Sequence, residues 1–220
     1  MTSFSWKPGL HVLVMAKAPV PGRVKTRLCP PCTPVEAAAL AEAALGDTLD
    51  AVAACGADRR VVALDGTPGD WLPEGFEVIP QSSGRFDRRL GDAWAATGGP
   101  GVQIGMDTPQ VTHGRLDRAL ATLDAADAAL GHAEDGGWWA IALRRPSRGV
   151  FAGIAMSTSR TGRDQESRLR SLGLGVAMLP TLVDLDTAAD LAAVTESGTA
   201  IRTASLARTL GMTPAPVAAR

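Results

Sequence analysis

Four cations stand close together near the start of the chain: Lys17, Arg23, Lys25 and Arg27 fall within positions 17–27, and no acidic residue precedes Glu36. The stretch reads MAKAPVPGRVKTRLCPP. It is not the nucleotide triphosphatase P-loop, which needs a glycine directly before Lys-Ser/Thr, because Val24 precedes Lys25-Thr26 here. What remains is a proline-stiffened turn in which Gly22 lets the backbone approach a ligand and several cations share a small space. That chemistry suits a pyrophosphate. A solvated basic loop is the plainer alternative, but no nearby carboxylate offsets the charge, which favours an anion site.

Concentrated negative charge in a ligand commonly calls for a divalent cation, and IGMDTPQ places a single carboxylate, Asp107, where a strand gives way to a loop. An ordinary turn or cap at Asp-Thr-Pro is the alternative there. EDGGWWAIAL sets Glu134 and Asp135 beside two glycines and two tryptophans, a combination that can seat a polar ligand against a flat apolar face. Its plainer reading is a hairpin turn with core tryptophans, one pointing inward and one outward. Cys29-Pro-Pro-Cys32 is formally a CxxC pair. A zinc site would need two further ligands from Cys55, His11, His113 or His132, none at ligand spacing, so the cysteines read as ordinary thiols. No nucleophile triad can be assembled from the spacing of the histidines.

The elements that must position these residues alternate. Leu10–Ala16 is a near-continuous apolar run, as expected of a strand covered on both faces, and it ends at the basic loop. Thr33-Pro34-Val35-Glu36 has the pattern of a capping box with proline at the first helical position, opening an Ala-rich helix to about Cys55 with Leu45, Leu49 and Val52 on one face. Strands are expected at Arg59–Gly66 and Phe76–Gln81, a helix over 88–97, a strand from Gly101 ending near Asp107, and a helix over 113–124. Two strands then flank the Glu-Asp-Gly-Gly turn, and a last strand precedes a helix capped by Thr187 and Asp190. Alternating strands and helices predict an open α/β sheet whose ligands sit beyond the carboxyl ends of its strands. The basic loop, Asp65, Asp107 and Asp135 could then face one crevice.

The 220 residues form one expected domain over 1–210 with a fraying Pro- and Ala-rich tail over 211–220. With 45% hydrophobic and 20% charged residues and a net charge of -1, there is no global basic field for nucleic acid. No run approaches a membrane span, and the expectation is a cytoplasmic protein. Oligomeric state cannot be read from the sequence.

The blocks MAKAPVPGRVKTRL, GMDTP, DGGWWAIAL and LVDLDTAADL, in this order over roughly residues 10–195, resemble a bacterial glycosyltransferase-like family of the nucleotide-diphospho-sugar transferase superfamily. The chain is also similar to small nucleotidyltransferases such as 2-phospho-lactate guanylyltransferase. The resemblance implies the glycosyltransferase-A type of fold, a three-layer α/β/α arrangement with a mixed, mainly parallel sheet. It implies that Lys17, Gly22, Lys25 and Arg27, with Arg23 and Arg89 beside them, hold nucleotide phosphates. Asp107 and Asp186 would take Mg2+ or Mn2+. The chain departs from the family's pattern at GRFDRRL, at Met156 and at Trp138, positions that bear on the substrate.

The function these features imply is transfer of a sugar from a nucleotide sugar to a small acceptor, with Asp135 or Glu134 as the base near the acceptor hydroxyl. The alternatives are nucleotidyl transfer from a nucleoside triphosphate to a phosphorylated small molecule, with pyrophosphate release, and a nucleotide-binding protein without chemistry.

Overall fold

The computed structural model describes residues 9–145 and 147–212. Seven strands form one sheet in the order β3-β2-β1-β4-β6-β5-β7. They are β1 His11–Lys17, β2 Arg59–Asp65, β3 Glu77–Pro80, β4 Gly101–Gly105, β5 Ala128–Ala133, β6 Trp138–Leu143 and β7 Val176–Leu182. All neighbours run parallel except β6, which is antiparallel to both β4 and β5. The central position of β1 explains its apolar run: Val12, Leu13 and Val14 have no exposed surface, and burial of each stabilises the fold by roughly 1.5–3 kcal/mol.

The helices are α1 Pro34–Ala54, α2 Phe86–Thr97, α3 His113–Thr122, α4 Thr161–Ser171, α5 Ala188–Glu196 and α6 Ile201–Thr209. Leu45 and Leu49 of α1 and Leu116 and Leu120 of α3 share a core with Val14 and Val62 on one face of the sheet. Leu90 and Trp94 of α2 and Leu169 of α4 join Leu13 and Ile141 on the other face. The three expected layers are present. Beyond them, α1 buries a second face, with Ala37, Leu40 and Ala44 packed against Leu191 of α5 and Ala207 of α6. Its alanines and Gly46, where a Cβ would lie 2.9 Å from Arg202 Cδ, leave room for that close approach.

Local chemistry sets several boundaries. Both capping boxes form as the sequence predicts, Thr33 with Glu36 and Thr187 with Asp190. Helices α4 and α6 carry no such signal. The start of α6 is capped from a distance: buried Asp47 of α1 accepts hydrogen bonds from Arg202 N at 2.8 Å and Thr203 N at 2.9 Å. Helix α4 has a single fully buried apolar side chain, Leu169, and anchors itself through Gln165, which donates to Val150 O at 2.8 Å. At the carboxyl end, Met212, within the expected tail, packs onto the α1/α5/α6 core and its Sδ lies 3.2 Å from Cys32 Sγ. Positions 213–220 of that tail lie outside the described residues. Among the described residues no helix is long and apolar enough to cross a membrane.

His11 opens β1 in the core, its ring edge-on to Trp94 at 5.4 Å and both ring nitrogens without a hydrogen-bond partner among the described residues. Burial, helped by the Arg59 guanidinium, lowers its pKa from 6.5 to about 4. Between those values the unfolded chain binds a proton that the folded chain does not, so stability is full above pH 6.5 and falls as the pH drops toward 4. The loss is expected to reach about 3 kcal/mol. Urea unfolding of wild type and His11→Leu across that window should show the slope in the wild type and a shallower one in the variant.

Candidate functional site

The parallel register places Lys17 beside Asp65 and Met15 beside Gly105, so the loops after β1, β2 and β4 open on the same edge of the sheet. The chain runs outward from β1 through β2 to β3 and then returns to β4 on the other side of β1, so the strand order switches between β1 and β4. A cavity of about 560 Å³ opens there. That volume is within the range of pockets that take a small ligand or cofactor.

Its floor is held by one buried cation. The side chain of Lys25 is 4% exposed, while Asp107 and Asp186 are 43% and 38% exposed. The Lys25 ammonium donates to Asp107 Oδ1 and to the carbonyl of Leu185, and Asp186 Oδ1 lies 3.6 Å away. Arg27 Nη1 adds a bond to Asp186 Oδ2 at 3.0 Å. The lysine needs a left-handed backbone to reach inward, with φ 47°. Ser157, with φ 59°, is the other non-glycine residue of this kind among the described residues, and both line the cavity. Backbone strain of about 1–3 kcal/mol per residue is thus gathered at this site.

The segment after β7 closes the floor. From the sheet edge it returns across the strand ends: Leu182 O accepts from Glu134 N at 3.0 Å, Val183 O from Gln110 Nε2 at 2.6 Å, and Leu185 N donates to Asp107 O at 2.7 Å. This path brings a further carboxylate, Asp184, into the cavity beside Asp186. Asp184 Oδ1 accepts from Thr108 Oγ1 at 2.8 Å. Burial pushes its carboxyl up to about 7 against that lowering bond, and the negative charges of Asp107 and Asp135 add to the rise. Reading the sequence missed Asp184, although the Asp-Leu-Asp spacing in 184–186 was a usable signal.

Of the residues singled out in the sequence, Lys17, Arg23, Lys25, Arg27, Asp107, Asp135 and Asp186 all line the cavity. Four do not. Gly22 supplies the turn, with φ 76°, but sits outside the lining, and Glu134 is exposed and also outside it. Arg89 donates to Gln81 Oε1 and pairs with Asp65 at 3.4 Å, with its guanidinium over the Phe86 ring, so it braces the β2–α2 region. Asp65 instead borders a separate hollow of about 150 Å³ with Lys17 and Arg23. The cysteines take no part: Cys32 is buried and burial raises its thiol.

Asp135 is held by its own turn, with Oδ1 accepting from Gly137 N at 2.7 Å. Gly136, with φ 90°, fits only without a Cβ, since one would overlap the backbone at Ser159. The two tryptophans do alternate, but both sheet faces are covered, so neither points to open solvent. Trp139 is buried on the α1/α3 face and donates to Pro180 O at 2.9 Å, while half-buried Trp138 packs 6.2 Å from Phe151 on the α2/α4 face. Trp138, Met156 and Phe86, which belong to the places where the sequence departs from the family pattern, all line the cavity.

The donor set around the Lys25 ammonium is entirely oxygen, two carboxylates and a carbonyl, which suits Mg2+ or Mn2+ over softer metals. Among the described residues no three His, Cys, Asp or Glu side chains group closely enough to hold a metal by themselves. The arrangement therefore fits a cation bound by one or two carboxylates and completed by ligand phosphates and water.

The profile of a family described as an uncharacterized protein conserved in bacteria (DUF2064) matches residues 39–158. Among curated proteins none matches the chain. A provisionally assigned nucleotide-diphospho-sugar transferase from Desulfovibrio desulfuricans G20 is similar in structure, with 24% identity, a TM-score of 0.80, and 93% of this chain and 98% of that one covered. Rv0371c from Mycobacterium tuberculosis H37Rv, in complex with manganese, has 23% identity and a TM-score of 0.51, covering 84% of this chain and 96% of its own. A cytidylyltransferase from Leptospira borgpetersenii has 14% identity and a TM-score of 0.58, covering 92% and 94%. At these identities the likenesses establish the fold, which is the nucleotide-diphospho-sugar transferase type expected from the sequence.

Replacing Lys25 by methionine deprives two partly solvated carboxylates and a carbonyl of their common donor. Lys25→Met is expected to lose about 1–3 kcal/mol in urea unfolding. Millimolar MnCl2 should then raise the melting temperature of the variant more than that of the wild type. Equal shifts in the two proteins would show that the carboxylates do not form a cation site.

Proposed function

The chain belongs to the DUF2064 family of bacterial proteins, and from that premise we propose that it is a metal-dependent glycosyltransferase that binds a nucleotide-diphospho-sugar and passes the sugar to a small acceptor. The observation that carries this reading is the pairing, in one cavity at the strand-order switch, of four loop cations with oxygen donors that already converge on one positive charge. A diphosphate bound together with a divalent cation would use both halves of that arrangement.

In this reading Lys17, Arg23, Lys25 and Arg27 hold the diphosphate, and Asp107 and Asp186 hold Mg2+ or Mn2+. Arg89 is left out, because it is bound to Gln81 and Asp65 and is not itself part of the cavity lining. The metal supplies Lewis acidity at the phosphates. The acceptor oxygen forms its bond to the anomeric carbon as that carbon's bond to the diphosphate oxygen breaks, and the bonding pair leaves with the diphosphate. The acceptor proton passes to Asp135, which Gly137 holds at the cavity edge. Lys25, which donates to Asp107 and Leu185 in this structure, would supply positive charge to the departing diphosphate.

A second reading, nucleotidyl transfer, draws on the same four cations, which suffice for a triphosphate. Its acceptor attacks the α-phosphate and pyrophosphate departs. The products separate the two. With MnCl2 and panels of nucleotide sugars, nucleoside triphosphates and acceptors, nucleoside diphosphate release is expected, and pyrophosphate release would establish the second reading. Asp107→Asn should lower Mn2+-dependent nucleotide affinity at least tenfold by calorimetry, and Cys29→Ser should leave it unchanged; the reverse pattern would overturn the site.

A further inference from the structure

Resting on the transferase reading above, we infer that the acceptor is an uncharged, hydroxyl-bearing molecule with an apolar face, such as a pyranoside or a phenol presents, and not a phosphate ester or a carboxylate. The cavity wall divides by chemistry. Every cation that lines it, from Lys17 to Arg27, comes from the end of β1 or the loop that follows it. Val24 and Met106 beside them belong to the core on the α1/α3 face. The opposite wall is built from Phe86 and Leu90 of α2, Trp138 of β6 and Met156, and the last three adjoin the core on the α2/α4 face. The polar side chains of that wall are the hydroxyl-bearing residues Ser157, Thr158, Ser159 and Thr161, and Asp135 also lines the cavity.

No lysine or arginine lines this wall. The three arginines adjacent to its residues in sequence each pair with an acid, Arg85 with Asp87 at 3.1 Å, Arg160 with Asp164 at 3.7 Å, and Arg89, whose guanidinium lies over the Phe86 ring, with Asp65 at 3.4 Å. The remaining charged groups that line the cavity are Asp107, Asp135, Asp184 and Asp186. An anionic acceptor placed against Trp138 would meet carboxylates with no cation in the lining of that wall, Arg89 being held by Asp65 and Gln81 behind Phe86, and in the transferase reading the cations across the cavity are taken by the donor's phosphates. A neutral ring can lay its apolar face on the half-buried indole and give its hydroxyl groups to the serines and threonines. The same wall keeps Asp135 as the one lining carboxylate that is not gathered around Lys25 or bonded to Thr108.

The experiment separates this inference from the reading beneath it. Calorimetry of the full-length protein with MnCl2 and nucleoside diphosphates comes first, and failure of any nucleotide to bind falls on the transferase reading. With nucleotide and Mn2+ bound, ligand-observed NMR then compares matched pairs: methyl glucoside with glucose 6-phosphate, methyl mannoside with mannose 6-phosphate, and phenol with phenyl phosphate. In at least one pair the neutral member is expected to bind at least tenfold more tightly. Trp138→Leu should weaken that binding at least tenfold, and Met156→Lys, which adds a cation to the wall, should move the preference toward the phosphorylated member. Should Trp138→Leu fail to fold, Met156→Lys carries the test. Tighter binding of phosphorylated members by the wild type, binding of neither member in every pair, or neutral binding indifferent to the substitutions overturns the inference.

Discussion

The bond network of the Lys25 ammonium ties together three pieces of chain that the sequence keeps far apart. Lys25 belongs to the loop after β1, Asp107 to the end of β4, and Leu185 and Asp186 to the segment returning from β7. A buried cation is costly unless opposing charge and hydrogen bonds surround it, so the three pieces must meet for the loop to adopt its inward form. The path of that return segment follows. It leaves the sheet edge, crosses the strand ends through Glu134 and Gln110, and delivers α5 and α6 to the outer face of α1, where Asp47 caps α6.

The same network explains why the site is both strained and electrically divided. Lys25 reaches the carboxylates only from a left-handed backbone, and Ser157 adopts a similar conformation across the cavity. Strain of this kind persists where surrounding contacts over-determine it. The loop cations face the carboxylates on one side and an apolar wall with hydroxyls on the other. In the proposed reaction a phosphorylated donor and a neutral acceptor would occupy different ground without competing for the same charges.

Much of this was legible because the controlling chemistry is local. The apolar run of β1, the Thr33/Glu36 and Thr187/Asp190 capping boxes and the Asp-Gly-Gly turn each specify structure within a few residues. Helix α6 was illegible because its cap, Asp47, lies more than 150 residues away, and α4 because a buried glutamine takes the place of an apolar stripe. At the site the basic loop was legible as a cluster of cations, yet nothing in its spacing showed that Lys25 would turn inward to Asp107. Arg89 looked like the other cations in composition, but Gln81 and Asp65 hold it elsewhere. The Asp-Leu-Asp spacing of 184–186 marks Asp184 as a candidate, but the burial and the facing carboxylates that make it unusual come from chain segments distant in sequence.

The central claim is that the position now filled by the Lys25 ammonium is a divalent-cation position shared with a nucleotide diphosphate. A crystal structure of the protein with Mn2+ and a nucleoside diphosphate, measured at the manganese absorption edge, tests it directly. The account predicts an anomalous peak within bonding distance of Asp107, with the diphosphate against the loop of Lys17–Arg27 and Lys25 moved from the carboxylate to a phosphate oxygen. A manganese peak away from Asp107 and Asp186, or a diphosphate bound elsewhere while Lys25 stays on Asp107, would contradict it.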